Sequence, residues 1–355
     1  MKTKKSKNFI FFVILAFVLL LLYAIIGIIG NVVDKEPSLI YEFDSNTKSY
    51  TVVGCNKGTG EDIVVPQSYR NYPVVAIGDY AFHKEEIASI TLPSTIKHIG
   101  EGAFAECKSL KAVYGMENCE ELVQISNYTF YICHSLENIK LSPNLVYIGE
   151  QAFVDCLSLE NIELPLSVKT IDFGAFAGCK SLSKIILTEN IVKIYASFGL
   201  CSSLQDITIP ASVKELHSIS FAGCSKMENI YIDDDNTEFT SINGVVYSKS
   251  KDVLWIYPSG RKDEYFELPN EVTVIASQSI AHNEHLVSIY IPKSVTLIAT
   301  ESFLNSTNLT DINYAGIVEE WLNIEKESDW NKGLSDFTIY CTDGQIAKDG
   351  TITYK

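Results

Sequence analysis

The sequence has few basic residues and few of the residues from which disulfide-rich proteins are built. Its 355 residues include 28 Lys and Arg against 44 Asp and Glu, which gives a net charge of −16. A protein that binds nucleic acid non-specifically needs a basic face, so we expect no nucleic-acid partner. Nine cysteines are too few for a disulfide scaffold of this length, and an odd number cannot all pair within one chain.

Motifs of catalytic and metal-binding sites are also scarce, and we find no G-x-S-x-G, H-E-x-x-H or P-loop sequence. Residues 100–105 have the spacing of a dinucleotide fingerprint, but the related segments of the chain lack its glycines. Residues 233–236 (Asp-Asp-Asp-Asn) lack the residues that an EF-hand needs at positions six and twelve, which indicates a solvated turn. His282 and His285 are too few for a metal site. We therefore expect no enzyme, no cofactor and no metal.

Long apolar runs are absent except at the N-terminus. Four lysines lie within residues 1–8, and residues 9–30 carry no charge, in an apolar stretch that continues to residue 33. Twenty-two residues at 1.5 Å rise span about 33 Å as a helix, enough for a ~30 Å hydrocarbon core. The lysines place residues 1–8 in the cytoplasm by the positive-inside rule. We predict a single-pass signal anchor at residues 9–33.

Two alternatives remain for this segment. A cleaved signal peptide usually has a shorter apolar region of about 7–15 residues and a small-x-small cleavage site, so residues 9–33 would be an unusually long one. A buried helix of a soluble protein would need apolar neighbours on every side. The anchor predicts a cell-membrane protein with a cytoplasmic N-terminus and an extracellular domain, whose net charge is −20 (24 basic against 44 acidic residues).

The rest of the chain is a tandem repeat, with the pattern I-x-L-P-x-x-V-x-x-I-x-x-x-A-F-x-x-C-x-x-L. Six of the ten intervals in its first apolar column are 23 residues, which chance does not produce. The column consists of Ile63, Ile90, Val113, Ile139, Ile162, Ile185, Ile207, Ile230, Phe266, Ile289 and Ile312.

Each repeat indicates short strands rather than helices. In the repeat at residues 159–179, Ile162 and Leu164 have the two-residue spacing of a half-buried strand, Pro165 ends it, and Val168 with Ile171 forms a second inward segment. One unit cannot bury its own apolar side, so successive units must stack. The sequence predicts a mainly β repeat solenoid, a right-handed array of about eleven turns with a parallel strand face, preceded by one transmembrane helix.

Six cysteines occupy one column of the repeat. Their spacings of 22 to 26 residues lack the C-x₂-C pairs of zinc sites. Stacked turns would hold neighbouring Cβ atoms near 4.8 Å, longer than the ~3.8 Å of a disulfide. We interpret the column as buried thiols that fill a narrow interior row, with small residues replacing them at Asn283 and Ser306. The cysteines are Cys107, Cys133, Cys156, Cys179, Cys201 and Cys224.

The segment I-G-x-x-A-F-x-x-C-x-x-L at residues 148–159, which recurs in tandem, resembles the BspA-type leucine-rich repeats of bacterial and protozoan surface proteins. The resemblance covers about residues 39–345. It implies surface display and binding of protein or matrix, with no enzymatic activity and no universal ligand residues. The alanine of the motif is replaced at Ser197, Ser220 and Ser279, which puts the local packing in question.

The same resemblance, with the anchor, divides the chain into regions. We predict a basic tail (1–8), the anchor (9–33), a linker and N-terminal hairpin cap (34–62), the solenoid (63–312) and a C-terminal cap (313–355). An extra stretch near residues 233–265 adds 13 residues to one turn. Its alternating apolar residues predict a hairpin that projects from the solenoid and turns near residues 250–252.

In each first strand, the residue between the two final apolar positions should point outward, because strand side chains alternate. Tyrosine is enriched at binding hot spots, although it also favours strands for packing reasons alone. We predict a membrane-anchored surface module that binds an extracellular protein or glycan through this column; a structural or stalk-like component without a ligand is the alternative. The predicted ligand-binding residues are Tyr114, Lys140, Glu163, Ile186, Thr208, Tyr231 and Tyr290, in a column that begins at Thr91 and ends at Asn313.

Overall fold

The computed structural model describes residues 39–56 and 61–355, and the described chain is a parallel β solenoid with two rows of short strands. The first row contains one strand from each turn. Its strands are β3 (Asp62–Val64), β6 (Ser89–Thr91), β8 (Ala112–Tyr114), β10 (Asn138–Ile139), β12 (Asn161–Ile162), β14 (Lys184–Ile185), β16 (Ile207–Ile209), β18 (Ile230–Ile232), β22 (Tyr265–Glu267), β24 (Ser288–Ile291), β26 (Asp311–Tyr314) and β28 (Thr338–Tyr340).

The second row forms the next side of each turn. Its strands are β2 (Ser49–Cys55), β5 (Tyr72–Ile77), β7 (His98–Ile99), β9 (Gln124–Ile125), β11 (Tyr147–Ile148), β13 (Thr170–Ile171), β15 (Lys193–Ile194), β17 (Glu215–Leu216), β21 (Val253–Ile256), β23 (Val274–Ile275), β25 (Leu297–Ile298) and β27 (Glu325–Lys326). The remaining strands are β1 (Leu39–Asp44), β4 (Ser68–Tyr69), β19 (Phe239–Ile242), β20 (Val245–Ser248), β29 (Gly344–Ala347) and β30 (Ile352–Tyr354).

The register confirms the mainly β solenoid that the 23-residue spacing predicts. Column residues pair directly across parallel strands, as Ile90 does with Val113 and Ile289 with Ile312. The same register extends one turn beyond the predicted column, because Ile312 pairs with Ile339. The column faces inward and is buried along most of its length, so stacking completes the core that a single turn cannot form.

The predicted anchor at residues 9–33 lies outside the described residues. Within residues 39–56 and 61–355, no helix has the length and apolar character that crossing a membrane requires. The helix α1 (Val318–Asn323) belongs to the C-terminal cap, where Trp321 is buried against Tyr314 and Trp330. A 3₁₀ turn, Met116–Asn118, follows β8.

Seven phenylalanines form a continuous stack inside the N-terminal part of the solenoid. Each successive pair has ring centroids 5.1 to 5.5 Å apart and planes within 22° of parallel. All are buried, so each contributes its full apolar area in addition to ring contacts worth about 0.5–1.5 kcal/mol per pair. The stack consists of Phe82, Phe104, Phe130, Phe153, Phe176, Phe198 and Phe221.

The six column cysteines are buried free thiols, and each does more than fill space. Each Sγ donates to the carbonyl oxygen of a stacked phenylalanine in the preceding turn, over 2.8 to 3.3 Å. In the later turns, Asn283 and Ser306 donate to backbone carbonyls in the same way. Each of these phenylalanine carbonyls also accepts a backbone N–H from its own turn, so the thiol adds a second bond that joins the carbonyl to the next turn. The column therefore selects a small hydrogen-bond donor.

The serines that replace the alanine of the motif show how the packing adapts. Ser197 Oγ donates to the Ile171 carbonyl at 2.9 Å, and Ser220 Oγ donates to the Ile194 carbonyl at 3.4 Å. The Ser279 hydroxyl is buried and has no hydrogen-bond partner among the described residues. Two of these three serines thus add a bond between turns, and the third leaves a polar group unpaired.

The extra stretch does not project from the solenoid, contrary to the prediction. Strands β19, β20 and β21 form an antiparallel meander, and β21 pairs in parallel with β23 of the second row. One of its turns does lie at residues 249–252. The buried apolar residues of the solenoid form two clusters, an N-terminal core within residues 39–256 and a C-terminal core within residues 245–346. The apolar residues of the meander alternate between them: Val246 packs in the N-terminal core, whereas Val245 and Tyr247 pack in the C-terminal core. Both faces of these strands carry apolar residues, and both faces are therefore buried, one against each core.

Candidate binding face

The predicted column lies on the outer surface of the first strand row, which we call the strand face. Tyr114, Ile186 and Tyr231 are 52%, 66% and 47% exposed, while their neighbours in sequence on either side are buried or partly buried. Lys140, Glu163 and Thr208 are also exposed, and Tyr290 is half-buried. The inward and outward alternation of the short strands produces this arrangement.

The hydrogen-bonded ladder beneath the strand face is interrupted, whereas the sequence predicted a continuous surface. The row divides into the sheets β3-β6-β8-β10, β12-β14, β16-β18 and β22-β24-β26-β28, the last of which continues into β29 and β30. Two of the breaks adjoin the two-residue strands β10, β12 and β14, and the third lies where the meander enters between β18 and β22.

Three predicted residues meet at the first of these breaks. Tyr114, Lys140 and Glu163 line one open groove of about 780 Å³ between β8 and β12, which we call the strand groove. Glu117 and Leu164 also line it, so that apolar, acidic and basic groups face the same space. A groove with mixed chemistry on a rigid sheet is suited to binding a peptide segment or a protein loop.

The other predicted residues lie further along the strand face. Thr208 and Tyr231 are direct neighbours in register across β16 and β18. Ile186 extends from the end of β14, one turn before Thr208. Tyr290 pairs with Asn313 in the last sheet and contributes to a different groove, so the seven residues do not form a single site.

A second groove, which the sequence analysis missed, lies on the second strand row where the meander joins it. We call it the junction groove; its volume is about 610 Å³, and Tyr195, His217 and Trp255 line it. The Tyr195 and His217 rings meet edge to face with centroids 5.1 Å apart. Trp255 Nε1 donates to the Leu216 carbonyl at 2.8 Å, and burial lowers the pKa of His217. The sequence feature that could have indicated this groove is Trp255, a large aromatic residue within the alternating apolar segment.

The weak chemical motifs have structural roles. Gly102 takes a positive φ of 57° at a corner of the coil, where a Cβ would collide with the Tyr80 ring, and turns follow instead of a helix. Asn236, at the end of the acidic segment 233–236, is buried and donates to the carbonyls of Pro210 and Val213. This end of the segment therefore links two repeats of the coil and is not solvated, contrary to the prediction. Across residues 39–56 and 61–355, no cluster of three or more His, Cys, Asp or Glu could hold a metal ion.

The comparisons with known proteins identify the repeat. A family model described as "BspA type Leucine rich repeat region" matches in six copies, over residues 75–194, 123–252 and 260–343. Among curated protein sequences, none matches this chain.

Two solved structures share the fold. A leucine-rich cell surface protein from Faecalibacterium prausnitzii has a TM-score of 0.63 and 22% identity, over 81% of this chain and 96% of that chain. The pneumococcal vaccine antigen PcpA has a TM-score of 0.57 and 22% identity, over 84% of this chain and 80% of that chain. At this identity the likeness concerns the solenoid architecture.

Proposed function

The chain belongs to the BspA-type leucine-rich-repeat family, and on that premise we propose that it is a cell-surface protein that binds an extracellular protein through its strand face. The observation that carries the proposal is the strand groove, where Tyr114, Lys140 and Glu163 converge, with Ile186 and Tyr231 exposed further along the same face. Rigid exposed tyrosines bury large areas at low entropic cost, as binding hot spots do. The proposed function is non-enzymatic and uses no cofactor.

We propose that residues 9–33 hold the protein in the membrane, with residues 1–8 in the cytoplasm and the repeat domain outside. The apolar length and the N-terminal lysines support this topology. The intact mass of the protein purified from membranes tests it, since an uncleaved chain retains all 355 residues. A new N-terminus near residue 31 would instead indicate a cleaved signal.

Binding is tested with the full-length chain in mild detergent. A pull-down from extracellular-matrix and envelope extracts identifies candidate partners, and the affinity for each purified partner is then measured. Replacing Tyr114, Ile186 and Tyr231 together with Ser should leave the circular dichroism spectrum unchanged. It should weaken binding about a hundredfold or more, since hot-spot residues cost about 1 kcal/mol or more each.

The matched control replaces Tyr80, Leu166 and Phe173 with Ser, three exposed residues of similar size outside the column and outside the grooves described above. This variant should bind the partner as the wild type does. Equal losses in both triple variants would show that the strand face has no special role. The absence of any saturable partner would favour a structural or stalk-like component.

A further inference from the structure

The last sheet of the first row carries a second surface, made of tyrosines, that the proposed protein-binding site does not use. Tyr290, Asn313 and Tyr340 are successive neighbours in register across β24, β26 and β28. Tyr265 lies beside them on β22, and an open groove of about 500 Å³ runs over all four residues. We call this surface the tyrosine platform.

The platform is preorganised. Strands β22, β24, β26 and β28 form an unbroken parallel ladder, and β29 and β30 extend it in antiparallel pairing. This sheet has six strands, whereas the earlier part of the row is divided into shorter sheets. Asn313 Nδ2 donates to Ser288 Oγ at 2.8 Å, which orients the amide. Rings held on such a sheet bind with little loss of conformational entropy.

The chemistry of the platform differs from that of the strand groove. Tyr265 and Tyr340 are 52% and 40% exposed, and both side chains line the open groove. Within the described part of the chain, the hydroxyls of Tyr290 and Tyr340 have no hydrogen-bond partner, and the groove lining includes no Asp or Glu side chain. Its one charged side chain is Lys355, whose ammonium donates to the carbonyls of Cys341 and Thr342. Beside the groove, Glu267 on β22 is the neighbour of Tyr290 in register and accepts a hydrogen bond from Tyr265 at 3.4 Å, so one acid and one base balance each other here. The strand groove, in contrast, has Glu117 and Glu163 in its wall.

Flat rings with free phenol hydroxyls and an amide between them match a pyranose sugar. One face of such a sugar consists of C–H groups that pack on an aromatic ring, and its rim of hydroxyls pairs with phenol and amide groups. Tyr290 and Tyr340 are two strands apart, about 9.6 Å at 4.8 Å per strand. This spacing lets alternate units of one oligosaccharide lie over the two rings, with the unit between them over Asn313.

We propose that the tyrosine platform binds a neutral oligosaccharide chain. The inference rests on the proposed surface location, where the protein would meet such glycans, and it is independent of the protein partner of the strand groove. It assigns the two ends of the strand face to two classes of ligand.

The experiment measures binding of the full-length chain in mild detergent to maltohexaose, cellohexaose and chitohexaose, with hyaluronan as an anionic comparison. At least one neutral oligosaccharide should bind saturably. Replacing Tyr290 and Tyr340 with Ala should lower its association constant about tenfold or more, because both stacking surfaces are lost. The Phe variants of both residues should lose less, since they keep the rings. If the double Ala variant fails to fold, the single variant Tyr340→Ala replaces it in the test, because Tyr340 is more exposed than Tyr290.

The control replaces Tyr114 and Tyr231 with Ala, the same residue type in the same column. This control should bind the oligosaccharide normally and the protein partner weakly, which separates failure of this inference from failure of the proposed function. No binding to any neutral oligosaccharide, tighter binding to hyaluronan alone, or unchanged binding by the folded Tyr340→Ala and double Ala variants would overturn the inference. A loss of protein capture in the Tyr290 and Tyr340 variants without oligosaccharide binding would extend the protein-binding face instead.

Discussion

The two ends of the solenoid fill the same coil in different ways. In the N-terminal block, residues 39–232, identical rings stack from Phe82 to Phe221 and cysteines pair with their carbonyls. In the C-terminal block, residues 245–346, Ile280 and Phe303 take the ring position, and Phe303 meets Trp330 edge to face. The N-terminal interior is thus filled by identical neighbours from turn to turn, whereas the C-terminal end is filled by different side chains that pack on one another.

The junction between the blocks is where the regular interior stops. Tyr257 takes the ring position after Phe221, and its hydroxyl is buried without a hydrogen-bond partner in the described residues, as is that of Ser279. The strands β20 and β21 lie between the two cores and supply side chains to both. The blocks are therefore joined by packing through the meander.

The largest effect should follow from deleting residues 236–262. The deletion removes Val246 from the N-terminal core and Val245, Tyr247 and Leu254 from the C-terminal core, so both should lose cooperative folding. Near-UV circular dichroism and urea unfolding measure this. The control is Lys251→Gly in the exposed turn, where φ is 66° and glycine fits without strain. An N-terminal block that kept its full cooperative transition would show that the blocks fold separately.

The next effect compares one ring from each block. Phe176→Ala should lower the free energy of unfolding by about 3–5 kcal/mol, since it leaves a buried void and breaks two stacked contacts. Phe303→Ala should cost about 1 kcal/mol less than that, because Phe303 makes one edge contact with Trp330. Urea denaturation of both variants provides the measurement. Equal losses would mean that stacking adds nothing beyond burial.

A smaller effect tests the thiol donors. Cys179→Ala should lower the free energy of unfolding by about 1–2 kcal/mol, because the Phe153 carbonyl keeps the Cys156 N–H but loses the thiol donor, and the sulfur leaves a small void. Cys179→Ser keeps a donor and should cost less than Cys179→Ala. Thermal and urea unfolding distinguish the two variants. If Ser were as damaging as Ala, the column would act through volume alone.

The smallest effect is a pH dependence of the N-terminal block. Burial raises the pKa of Cys201 to about 12, from an ordinary value near 9.0. Below pH 9 the thiol is protonated in both states, and above it the unfolded chain releases a proton that the native state keeps, so stability falls as pH rises. Between pH 9 and 10 the wild type should lose about 1 kcal/mol more than Cys201→Ser. The free energies of unfolding of the two proteins are measured by urea titration at each pH, and an equal decrease in both between pH 9 and 10 would refute the prediction.

Much of the fold follows from the sequence, because a 23-residue period with two-residue apolar spacing allows only stacked short strands. The exposed positions of Tyr114, Ile186 and Tyr231 follow from the same alternation. The grooves do not follow from it. The strand groove requires the ladder to break between β10 and β12, and the tyrosine platform requires Tyr265 and Tyr340, which lie outside the predicted column, to join Tyr290.

By itself, the sequence determined the repeat, its inward column and its outward column, since each depends only on local periodicity and on the need to bury apolar side chains. The tertiary structure alone decided the corners of the coil. Ile132 and Leu200 take positive φ values of 58° and 61°, which local preference disfavours. Their N–H groups donate at 2.8 Å to the carbonyls of Val154 and Ala222 in the next turn. Hydrogen bonds between stacked turns hold a backbone conformation that no short segment would adopt alone.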